Sequence, residues 1–210
     1  MRFLITAGGT REYIDPVRFI SNASSGRMGY ALAAAALKAG HEVTLISAPT
    51  VLKPPAGAKL VAVESAAEMF AAVKEHFAPC DCLIMAAAVA DFTPARPSKT
   101  KIKKDGGPRP TLRLKPTPDI LHWAGRHKSA SQVVVGFALE DRHLRDNAAR
   151  KMRDKRLDMI VANTPAAINA PASILHIKPV DSDWIEISKS HKTASSRRII
   201  REIERLFRQQ

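Results

Sequence analysis

The chain has 210 residues, 33 of them Lys or Arg and 20 Asp or Glu, giving a net charge of +13 and a pI near 10.1. That length and a 45% hydrophobic fraction suit one large domain with a real core. There is no apolar run of about 18 residues, which argues against a membrane-spanning helix, and the positive balance favours anionic ligands such as phosphates, nucleotides or nucleic acid.

The opening MRFLITAGG has too short an apolar stretch for a signal peptide and reads as a first strand over 2–7. A long polar segment, Gly8 to Gly29, then runs into an alanine-rich helix at 26–39, closed by Gly40. A second strand is expected at Glu42–Ser47, a Pro-rich link at 48–57 and a third strand at Lys59–Val63. A helix at 66–77 follows, with Ser65 as N-cap. Cys82–Ala87 is all apolar, as in a buried parallel strand. Cys80 and Cys82 make a poor disulfide pair and an incomplete zinc site, so they read as buried thiols in a reducing cytoplasm.

Residues 92–118 hold six prolines and a basic cluster, so they cannot be a helix and read as a flap at about 93–117. Short strands are expected within it near Lys101–Lys104 and Thr111–Leu114. Beyond it come a helix from Asp119 to about Arg126, a strand at Gln132–Ala138, a helix at 141–155 and a strand at Met159–Ala162. A hairpin at about 173–188 and a last helix at 193–208 close the chain. Strands alternating with helices predict an α/β fold. The expected form is a Rossmann-like three-layer sandwich around a mainly parallel sheet, with a flap and a C-terminal hairpin, all in one domain over 1–210.

Ligands of such sheets sit beyond the carboxyl ends of the strands. At that rim, Ser24-Ser25-Gly26 reads either as an anion site at a helix N-terminus or as an ordinary cap. Arg18 and Asn22 would share a face if their stretch were helical, where they could hold anions or simply brace the loop. Asp91 suits Mg²⁺ or a turn. Lys101, Lys103 and Lys104 could close over a triphosphate, with a nucleic-acid patch as rival, although no aromatics are interleaved for base stacking. The basic run at 142–156 reads as a solvated helix face. A nicotinamide dinucleotide site is excluded, because no G-x-G-x-x-G follows the first strand and Ser-Ala-Pro-Thr, not an acid, ends the second.

GGTREYIDPVRFISNASSGRMG at 8–29, AAAVADF at 86–92, KIKK at 101–104, PTPDI at 116–120, VGFALE at 135–140 and DMIVAN at 158–163 together resemble the phosphopantothenoylcysteine synthetase family, bacterial type, in order and over almost the whole chain. The resemblance implies a Mg²⁺-dependent ligase of coenzyme A biosynthesis. CTP, or ATP in an alternative form, activates 4′-phosphopantothenate as an acyl-nucleotide. L-cysteine then attacks and the nucleoside monophosphate leaves. It assigns Asn22 to the acyl intermediate, Arg18 to aminolysis and Lys101 to catalysis from the flap. Ser24, Ser25 and Gly26 fall to the triphosphate, and Ala87, Ala88 and Phe137 to the base through backbone groups. Asp91 goes to metal or nucleotide, and Asp119 to the nucleotide.

The resemblance also implies a cytoplasmic homodimer with no flavin of its own, and association with a flavin-dependent decarboxylase that is fused to the synthetase in many bacteria. Nucleic acid and membrane partners are not expected. The family pattern is lost after Asn163, where Thr-Pro stands in place of an Asp-containing turn and Ile168-Asn169-Ala170-Pro171 lacks an acid.

Overall fold

Long apolar runs with few polar interruptions build the strands of one sheet, and the helices between them cover its two faces. The computed structural model describes residues 1–104, 111–168 and 170–209. In chain order the first elements are β1 (Arg2–Ala7), β2 (Arg11–Tyr13), β3 (Phe19–Ser21), α1 (Arg27–Lys38), β4 (Glu42–Ser47), β5 (Lys59–Ala62), α2 (Ala66–Phe77) and β6 (Cys82–Met85). Then come β7 (Phe92–Pro94), β8 (Leu114–Pro116), α3 (Ile120–His127), β9 (Val133–Leu139), α4 (Leu144–Asp154), β10 (Met159–Asn163), a 3-10 turn at Pro165–Ala167, β11 (Ala172–Pro179), β12 (Ile185–His191) and α5 (Lys192–Gln209).

Eight strands lie in the order β12-β11-β10-β9-β6-β1-β4-β5. The pairs from β10 to β5 are parallel, and β11 and β12 add antiparallel partners at one edge. The Rossmann-like sandwich is borne out, hairpin included.

Side-chain alternation along each buried strand divides the core in two. Phe3, Ile5, Val43, Leu45, Ile84 and Val135 face α1 and α5, meeting Leu32, Ala36, Ile199 and Ile203. Leu4, Ile46, Leu83, Val134 and Ile160 face the other way, against Met69 and Val73 of α2, Leu121 and Ala124 of α3, and Met152 of α4. Ser65 caps α2 by accepting the Glu68 amide at 3.2 Å, a contact worth about 1 kcal/mol. Cys80 and Cys82 are free and buried. Burial pushes the Cys80 thiol up to about 12 and the Cys82 thiol well above its ordinary value, so both stay protonated at neutral pH.

The differences from sequence lie in the polar segments. The stretch carrying Arg18 and Asn22 is not helical: β2 and β3 pair antiparallel, and Asn22 follows β3 directly. Period-3.6 reasoning therefore does not place the two side chains together. Lys101–Lys104 forms no strand. The flap instead closes where Phe92–Pro94 pairs with Leu114–Pro116. The part of the expected flap at 105–110, and Asn169 in the late loop, lie outside the described residues.

Gly29 sets the approach of α1 to the sheet. A Cβ there would lie 2.6 Å from the Ala7 Cβ and 2.9 Å from the Thr6 carbonyl oxygen. Gly29→Ala is expected to lower stability by about 1–3 kcal/mol, the usual cost of overpacking. Urea denaturation measures this, and an unchanged midpoint would mean that α1 can move away from β1 freely.

Candidate active site

The sheet order reverses at β1. From there the chain steps through β4 to β5 on one side and through β6, β9 and β10 on the other. The loops leaving β1 and β6 diverge at this point, where open α/β sheets form their ligand crevice. A cavity of about 620 Å³ opens there.

Its floor is the bend at 86–91, fixed by the end of β1 and the residues just beyond it. The Thr6 hydroxyl accepts the Ala87 amide at 3.1 Å, the Gly8 carbonyl accepts the Ala88 amide at 2.8 Å, and the Thr10 hydroxyl accepts the Ala90 amide at 2.9 Å. From the far side, the Thr117 hydroxyl donates to the Ala90 carbonyl at 2.6 Å and the Thr117 amide to the Asp91 carbonyl at 3.0 Å. Asn22 completes the clamp, its side-chain amide donating to the carbonyls of Ala88 at 3.2 Å and Val89 at 3.1 Å.

The cavity brings together Asn22, Ser24, Ser25, Gly26, Ala87, Ala88, Asp91, Asp119 and Phe137. Ser24-Ser25-Gly26 is not an ordinary cap. The N-cap of α1 is Gly26 at φ 75°, with no side-chain cap, so the first-turn amides remain available to an anion. The left-handed φ favours glycine, and a Cβ would come within 3.3 Å of the Gly8 nitrogen.

Asp119 caps α3 by accepting the His122 amide at 2.9 Å and pairs with Lys155 at 2.8 Å. Burial opposes its ionisation, but the Lys155 ammonium and the His122 amide outweigh burial and hold the carboxyl below its ordinary value. Asp91 is exposed, and no cluster of three or more His, Cys, Asp or Glu with metal-site geometry occurs among the described residues. Asp91, Asp119 and Glu140 are the carboxylates that line the cavity among the described residues, and exposed Asp91 fits Mg²⁺ that arrives with phosphate, since that ion takes one or two protein carboxylates and keeps substrate oxygens and water.

Arg18 and Lys101 do not line the cavity. Arg18 forms an ion pair with buried Asp15 and donates to the Ile102 carbonyl at 2.6 Å. Asp15 also accepts the amides of Val17 and Arg18 at 2.9 Å and of Ile102 at 3.1 Å, and the Ser98 amide donates to the Ile14 carbonyl at 2.8 Å. This latch holds the near arm of the flap, and Lys101 with it, against the β2–β3 hairpin.

Two functional candidates came from the run at 142–156 that reads in sequence as a solvated face. Lys151 of α4 and Lys155, the C-cap of that helix, both line the cavity, and the Lys151 ammonium donates to the Phe137 carbonyl at 2.8 Å. Burial, then repulsion from Lys155, pushes the Lys151 ammonium below its ordinary value. Their spacing was a usable signal: like charges four apart on a helix repel unless an anion sits near.

The family model for the C-terminal domain of DNA/pantothenate metabolism flavoproteins matches residues 1–206. The coenzyme A biosynthesis bifunctional protein CoaBC of Bacillus subtilis strain 168 is 45% identical over 212 residues, covering 98% of this chain and 52% of that protein. A cysteine/cysteine sulfinic acid decarboxylase from an unknown prokaryote is 51% identical over 164 residues, covering 78% of this chain and 45% of that protein. The chain thus spans about half the length of these curated relatives. A crystal structure of the C-terminal domain of CoaBC superposes with a TM-score of 0.86 at 38% identity, over 100% of this chain and 96% of that one.

The Asp15 latch carries a pH signature. The Arg18 guanidinium, with the surrounding amides, holds the Asp15 carboxyl well below the usual carboxylate range in the folded chain. Its stabilisation is therefore complete above the unfolded value, near about pH 4, and is lost as pH falls toward the folded value. Asp15→Asn is expected to melt below the wild type at neutral pH, with the gap closing as pH drops below about 4. Melting curves across that range check this, and a gap independent of pH would mean that the carboxylate charge contributes nothing.

Proposed function

The chain belongs to the DNA/pantothenate metabolism flavoprotein C-terminal domain family, and from that membership we propose that it is a phosphopantothenate–cysteine ligase using CTP. One observation carries the reading. A single rim cavity gathers uncapped helix amides, a backbone-presenting bend, a rim carboxylate and the cations Lys151 and Lys155. This arrangement binds phosphates, neutralises their charge and holds substrates side by side, as a reaction between two bound substrates requires.

In the first step the 4′-phosphopantothenate carboxylate attacks the α-phosphorus of CTP. An acyl–phosphate bond forms, the α–β phosphoanhydride breaks and pyrophosphate leaves. In the second step the neutral amine of L-cysteine attacks the acyl carbon. An amide forms, the amine gives up a proton and CMP leaves. Ser24, Ser25 and Gly26 hold the triphosphate. Ala87, Ala88 and Phe137 frame the base through backbone groups, and Asp119, paired with Lys155, borders the nucleotide.

Asp91 would hold Mg²⁺, which would supply positive charge to the phosphates. Asn22, anchored to the bend, holds the acyl-cytidylate. Lys101 acts from the flap, and Arg18 aids aminolysis from the same latch. ATP is the alternative nucleotide, since backbone framing discriminates bases less directly than a side chain. We also propose a homodimer, supported by exposed Val17, Phe19, Phe92 and Leu114 in and beside the two small sheets, which touch each other. A decarboxylase is the proposed partner, because the CoaBC relatives are bifunctional and about twice this length.

Pyrophosphate release with 4′-phosphopantothenate, with and without cysteine, compares CTP with ATP. Release with CTP is expected, and none with either nucleotide would sink the ligase reading. Lys101→Gln should reduce release by about 10²-fold or more, the scale of losing one transition-state charge contact, with an unchanged melting temperature. A large fall in melting temperature would instead make Lys101 structural. In Asn22→Asp, the acyl-cytidylate recovered by rapid acid quench should drop while CTP still binds. Loss of CTP binding itself would assign Asn22 to the nucleotide.

A further inference from the structure

Arg27 opens α1 and Lys192 opens α5, the two helices packed side by side on one face of the sheet, and both side chains line the cavity. Each cation stands at the positive end of its helix dipole, the placement that helix stability disfavours. Neither first turn contains an acid, and no carboxylate pairs with either side chain among the described residues. Among the described residues Lys192 reaches only a carbonyl, that of Ala167 at 3.3 Å. Burial, and then Arg27 itself, push its ammonium below the ordinary value. This wall therefore holds two mutually repelling cations and two positive helix ends, a combination that an anion relieves.

We propose that Arg27 and Lys192 seat the polyphosphate tail of the nucleotide, the two phosphoryl groups that leave as pyrophosphate. The inference rests on the ligase reading for the identity of the ligand. Its geometry comes from the width of the cavity. Lys151 reaches the Phe137 carbonyl from α4 on one side of the sheet, whereas Arg27 and Lys192 open α1 and α5 on the other, the side against which the Phe137 ring packs. A nucleotide whose base sits at Phe137 and whose phosphates pass the Ser24-Ser25-Gly26 turn ends at Arg27, the next residue. A polyphosphate also matches two cations better than a monoester, which carries less charge.

Calorimetric binding of CTP, CMP, inorganic pyrophosphate and 4′-phosphopantothenate to the wild type, Arg27→Gln, Lys192→Gln and the double variant tests the seat. Each single variant should weaken CTP and pyrophosphate by about tenfold and leave CMP and 4′-phosphopantothenate unchanged, with melting temperatures preserved. Arg27→Lys should retain most of the affinity. Equal losses for CMP and CTP, a loss confined to 4′-phosphopantothenate, no loss at all, or no binding of pyrophosphate to the wild type would each overturn the proposal. If the expected pattern appears but the wild type releases no pyrophosphate in turnover, the ligase reading fails and the seat stands as a nucleotide-tail site.

Discussion

Beyond the last ladder pair of β1 and β6, Thr6 with Met85, the two segments leave the ladder but do not separate. Thr6, Gly8 and Thr10 continue to bond the bend at 86–91, so the sheet's hydrogen-bonding logic extends into what would otherwise be loop. The cavity depends on this extension. An apolar bend rich in alanine has no side chains with which to fix itself, and its backbone donors and acceptors must be held from outside. Asn22 and Thr117 supply the remaining restraints from the segments that flank it. The result is a floor that presents backbone groups in a fixed arrangement, which is the form in which preorganised polar contacts act on a ligand.

Charge is distributed around this floor in a directed way. The net charge of +13 is not spread as an even coat, since Arg27, Lys151, Lys155 and Lys192 all reach one cavity. They arrive from three places on the scaffold: the start of α1, the last turn and C-cap of α4, and the start of α5. Asp119 answers Lys155, and the other three have no carboxylate partner among the described residues. Burial lowers the ammonium groups of Lys151 and Lys192. A polyanion would reverse that cost, so binding and cavity electrostatics favour each other.

The strands and helices were legible because their patterns are strong. The run Cys82–Met85 is apolar without interruption, and α2 begins at a serine whose capping role is visible three residues ahead of Glu68. The polar segments were less so. Arg11–Tyr13 and Phe19–Ser21 are three residues each, too short for alternation to register, and their pairing is fixed by the Asp15 turn between them. Asn22 and Ser24 could be placed at one rim because they lie in the segment that joins the first strand to the first helix, and Ala87, Asp91 and Phe137 because they lie at or just beyond strand ends. Lys151 could not, since its role depends on α4 turning one lysine toward Phe137, and a basic helix read in isolation looks solvated. Lys192 was hidden for a similar reason: it lies far along the chain, and only the packing of α5 against α1 brings it to the site.

That last contact has a consequence for how the molecule comes into being. The helix α5 is made after every strand it covers, and it supplies Ile199, Ile200, Ile203 and Leu206 to the core beneath it. On a ribosome the part of this face beyond the cover of α1, including Leu175 and Ile177 of β11, is assembled still wet. Chains fold vectorially, and uncovered apolar faces are aggregation-prone. The helix that dries this face is also the one that carries Lys192 into the cavity. Burial of the sheet and assembly of the cationic wall therefore finish together, and a nascent chain lacking α5 has neither.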